Sequence, residues 1–69
     1  MKKVDVKVLN EGTIWQFFML TKAAKVWVEE NVQIPGYMRQ GETAFAAEHR
    51  YGPNLVGGMR ESGLVVAPY

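Results

Sequence analysis

Lys3, Asp5 and Lys7 alternate with Val4, Val6 and Val8, a period of two that predicts a strand over residues 3 to 9 with one dry face and one wet face. Asn10-Glu11-Gly12 follows, and a three-residue loop with glycine at the left-handed position is a common hairpin connection. Residues 14 to 20, Ile-Trp-Gln-Phe-Phe-Met-Leu, predict a second strand with apolar residues on both faces. The period then changes. Thr21 can cap free helical N–H groups, and Ala23, Ala24, Trp27 and Val28 recur at helical spacing, which predicts a helix from about 22 to 31. Lys22 and Lys25 at its start and Glu29 and Glu30 at its end oppose the helix dipole, so tertiary packing must hold it.

Ile34-Pro35-Gly36 has the composition of a type II turn, and residues 37 to 41 leave room for a short edge strand. Residues 43 to 49 predict a third strand with Ala44, Ala46 and Glu48 on one face and Thr43, Phe45, Ala47 and His49 on the other. Gly52-Pro53-Asn54 opens a second helix with Leu55, Val56 and Met59 as its apolar stripe. Gly57-Gly58 weakens that helix by about 1–2 kcal/mol, tolerable where backbone must approach backbone closely. Gly63 supplies a left-handed cap, and Leu64-Val65-Val66 reads as a final strand. The order β-β-α-β-α-β specifies an α/β (α+β) fold in which two helices pack on one face of a sheet led by an antiparallel hairpin.

The 69 residues suffice for a single domain, 1–69. A chain of this size buries only about 60% of its unfolded surface, so association is an accessible source of further stability. It has no cysteine, which removes disulfides and thiolate metal sites and permits a reducing compartment. No apolar run reaches the roughly 20 residues that cross a bilayer, and the start lacks an export signal. A cytoplasmic protein without membrane contact is expected.

Catalytic chemistry finds little material. There is one serine, Ser62, and one histidine, His49, whereas nucleophilic catalysis needs a nucleophile, a base and an orienting group together. Ser62 beside Gly63 fits the end of a helix. Glu48 and His49 are neighbours that point to opposite faces of a strand, so they do not form a metal site. Gly52 to Gly58 contains no lysine and therefore no phosphate loop. No enzyme, cofactor or metal is expected.

A binding surface follows from hairpin register. A three-residue loop sets Lys7 opposite Trp15, Asp5 opposite Phe17 and Lys3 opposite Met19, leaving these aromatics and lysines on a face that no helix covers. A loop of two or four residues flips the second strand. Trp15, Phe17 and Met19 then join the valines in the core, while Phe18 and Leu20 remain on the lysine face. The first register suits self-association or capture of another protein. Its alternative use is stacking of single-stranded nucleic acid on Trp15 and Phe17 beside Lys3 and Lys7. Charge disfavours that alternative: the net charge is +1, with five lysines against two acids in residues 1–25 and three arginines against five acids in the remainder. Glu48-His49-Arg50-Tyr51, at the mouth of the second helix, is a further candidate contact.

Trp27-Val28-Glu29-Glu30-Asn31-Val32, then Glu48-His49-Arg50-Tyr51, then Leu55-Val56-Gly57-Gly58-Met59-Arg60 and Gly63-Leu64 form a pattern that resembles small uncharacterised proteins of bacterial genomes, phages and plasmids. The resemblance covers about two thirds of the chain. It implies no activity; it implies a bacterial, cytosolic setting and action by binding a host component.

Overall fold

The computed structural model describes residues 3–32, 36–39, 41 and 43–69. The elements are β1 (Val6–Asn10), β2 (Ile14–Met19), α1 (Lys22–Asn31), a 3-10 turn (Gly36–Met38), β3 (Ala44–Glu48), α2 (Gly52–Glu61) and β4 (Val66–Pro68). They form one four-stranded sheet in the order β3-β2-β1-β4. β1 pairs antiparallel with β2, and β2 with β3. β4 returns parallel to β1, so α2 carries the chain from one edge of the sheet to the other.

The expected element order holds, with three local differences. The last strand lies at Val66–Pro68 because the end of α2 consumes the residues before it. Gly63, at φ +91°, donates to Arg60, and Leu64 N–H reaches back to Met59, a Schellman motif that holds Leu64 at the helix end. In the region expected to form an edge strand, Gly36–Met38 is instead a 3-10 turn, and Arg39 makes a single bridge to Phe45. Ile34 and Pro35 of the expected turn lie outside the described residues.

The third difference decides the core. Asn10 pairs with Trp15 and Val8 with Phe17, and Glu11 N–H donates to Ile14 C=O at 3.0 Å, so an even number of residues, not three, reverses the chain. Asn10 causes the shift: its Oδ1 accepts the Gly12 N–H at 2.9 Å, an Asx turn that keeps Asn10 in the strand and starts the reversal one residue later. Gly12, at φ +86°, supplies the left-handed step. The parity of β2 therefore flips, and Val6, Phe17, Met19 and Phe45 meet Ala24 and Val28 of α1 and Met59 of α2 in one buried cluster. Phe17 stacks on Phe45 with ring centroids 4.9 Å apart. Both helices thus cover one sheet face.

Asp5 ties the ends of three elements together. Its Oδ1 accepts from the Thr21 hydroxyl at 2.6 Å and its Oδ2 from Val65 N–H at 2.9 Å, while Thr21 Oγ1 accepts from Ala24 N–H as the cap of α1. The Thr21 hydrogen bond, then that from Val65, holds the carboxyl below its ordinary value. A depressed folded-state pKa means stabilisation that is complete above the unfolded value and is lost as pH falls through the folded one. Urea midpoints measured from about pH 5 to 2 should therefore fall with acid in the wild type and fall less in Asp5→Asn. Parallel curves would remove Asp5 as a linked proton site.

Candidate functional site: the open face of the sheet

The face away from the helices is built in rows by strand pairing. Ala67, Lys7, Phe18 and Ala44 lie side by side across the four strands. Leu9, Gln16 and Ala46 form the next row, and Ile14 and Glu48 the one beyond. Neither α-helix crosses this face. Tyr69 follows β4 and folds over it: its N–H donates to Val8 C=O at 2.8 Å, its ring lies 5.0 Å from that of Phe18, and Lys7 Nζ stands 5.6 Å from the ring centroid. Tyr69 is 70% exposed. The result is an aliphatic and aromatic floor with an amphipathic ring and one cation above it, an arrangement suited to contact.

The expectation that Trp15, Phe17 and Met19 share a face with Lys3 and Lys7 is corrected by the register. Phe17 and Met19 are in the core, and Trp15 is half-buried against it. Lys7 instead adjoins Phe18, the residue left on the lysine face by a flipped second strand, and Lys3 is exposed beyond the start of β1. Sequence reasoning missed Tyr69, which carries no local signal: it reaches Phe18 only because β4 lies beside β1, more than fifty residues away. Gln16 was missed because its face depends on the same register, whereas Leu9, of the same parity as Lys7, lies on the lysine face in either one.

His49, Arg50 and Tyr51 are exposed at the hairpin end of the sheet. Arg50 Nε donates to Glu48 Oε2 at 2.7 Å, and the guanidinium lies 5.6 Å from the Tyr51 ring. His49 N–H donates to Thr13 C=O at 2.9 Å, and its Nδ1 lies 3.2 Å from the same oxygen. These contacts clip β3 to the hairpin loop. Ser62 accepts from the Trp27 indole at 2.7 Å, beyond the far end of α2, and the ten residues of that helix place it about 15 Å along the axis from His49. The serine and the histidine are not brought together.

Charge on and around the open face is mixed. Lys3 and Lys7 flank one end, Glu11 and Glu48 the other. Glu11 accepts from Gln16 Nε2, and Asp5 is committed to Thr21 and Val65. No protein-family model, curated protein or solved structure matches this chain.

Proposed function

We propose that this chain is a small non-catalytic binding module, at work in the bacterial cytoplasm on behalf of a genome or a mobile element, that holds a protein partner on the open face of its sheet. The observation that carries the reading is the helix-free floor of Leu9, Phe18 and Ala67 beneath Tyr69 and Lys7, apolar surface of the kind found at interfaces. The sheet edges support it. β4 has three residues and ends in a proline, and the outer side of β3 is bridged by Arg39, so strand addition is blunted at both edges. Balanced charge favours protein over nucleic acid, whose affinity derives from clustered cations. The partner this face fits presents an apolar centre with a carboxylate placed to meet Lys7.

A photo-reactive phenylalanine analogue at Gln16, in living bacteria, should give one nuclease-resistant protein adduct. The same probe at exposed Glu61 on α2 should not, and Phe18→Asp should abolish the adduct at position 16. An adduct destroyed by nuclease would move the assignment to single-stranded nucleic acid; equal labelling from both positions would end the proposal.

A further inference from the structure

Helix α1 carries its charges against its own dipole, with no acid in the first turn and no base in the last. Helix N-termini favour anions and C-termini cations, so Lys22, Lys25, Glu29 and Glu30 are misplaced for the isolated helix. Glu29 has a use within the fold, as Arg39 Nη1 lies 3.4 Å from its Oε1. Among the described residues Lys22 and Glu30 make no ion pair. Midway between them Val26 is 44% exposed; at 100° per residue it lies on the side of α1 opposite buried Ala24 and Val28. Positions 22, 26 and 30 are four apart, so they form one row along the outer surface, about 12 Å long. The row reads basic, apolar, acidic. Beside it a depression of about 480 Å³ runs against Trp27, Ser62 and Leu64, concave ground into which a second helix can settle.

A row of that order is its own complement when reversed. We propose that α1 is a self-association surface on which a second copy of this chain lays its α1 antiparallel, the two Val26 side chains meeting at the two-fold axis and Lys22 of each copy facing Glu30 of the other. Such an isologous contact sets the two dipoles antiparallel, each N-terminus beside the partner's C-terminus. It turns the misplaced charges of one helix into attractive pairs across two. A foreign helix would have to carry the same reversed order, whereas a second copy always does. The outer surface of α1 points away from the sheet, so the dimer leaves both open faces uncovered.

Charge exchange tests this. In sedimentation velocity across a concentration series at low salt, the wild type should reach twice 7.8 kDa and weaken as salt is added. Lys22→Glu and Glu30→Lys should each reduce the association constant by roughly tenfold, because two symmetric pairs become repulsive. Each substitution suits the helix dipole, so circular dichroism should report intact helix. Mixing the two variants should restore the dimer as a heterodimer, as should combining both substitutions in one chain, and Phe18→Asp should leave the dimer unchanged. A wild type that stays monomeric, or single variants that dimerise like it, would overturn the proposal. Loss of the dimer in Phe18→Asp alone would assign self-association to the sheet face instead.

Discussion

Phe17→Ala is expected to leave the protein largely unfolded or close to it. Phe17 has no exposed surface and stacks on Phe45 at 4.9 Å, and truncating a buried phenylalanine removes about 3–5 kcal/mol. A domain of this length has only about 3–10 kcal/mol in total, at the usual stability per residue. Urea titration followed by circular dichroism should show a midpoint displaced by most of its wild-type value. Phe18→Ala, one residue on and facing the opposite way, should lose less than half as much. If Phe17→Ala barely moved the midpoint while Phe18→Ala collapsed it, the hairpin register would be the three-residue one and the open face would belong to Trp15 and Phe17.

The second large effect comes from a single methyl group. Gly52, at the first turn of α2, is buried, and a β-carbon there would overlap the Trp15 ring, with even Cζ3 only 2.9 Å away. Trp15 also leans on the core cluster, so the ring cannot retreat without disturbing its neighbours, and overpacking of this kind costs about 1–3 kcal/mol. Gly52→Ala should lower the unfolding free energy obtained from urea titration by that amount, although alanine is the better helix former. Gly57, five residues on, has no heavy atom in reach of an added β-carbon. Gly57→Ala should therefore raise stability, by up to about 1 kcal/mol. Equal gains at the two positions would mean that Trp15 does not rest on α2.

That contrast shows how far the sequence can be read. Gly57 and Gly58 are one tandem pair in the chain, yet Gly58 abuts Trp27, its added β-carbon 3.2 Å from Cζ2, while Gly57 faces open space. No local pattern separates them. The elements themselves were legible because period two and period 3.6 are properties of a few consecutive residues, and α1 starts at Lys22 and ends at Asn31 as the Thr21 cap and apolar spacing predict. The candidate site was legible only as a pair of alternatives. Its composition hangs on whether Asn10 lies in the strand or in the turn, and that is settled by one side-chain hydrogen bond to Gly12. Tyr69 lay beyond reading, because its place over Phe18 is fixed by a parallel pairing between opposite ends of the described chain.

The same pairing sets an order of events. β1 is an interior strand only once β4 lies beside it, and the Asp5–Val65 contact that fastens them closes a loop of 60 residues. Local contacts of the hairpin and of α1 form ahead of so distant a closure, whose entropy is offset only when the segments between are already in place. From synthesis of Asn10 until α2 has delivered β4, Val6 and Val8 present unpaired backbone donors and acceptors to any extended strand nearby. The hazard of this fold is therefore kinetic: it falls on nascent chains and ends when β4 docks beside β1.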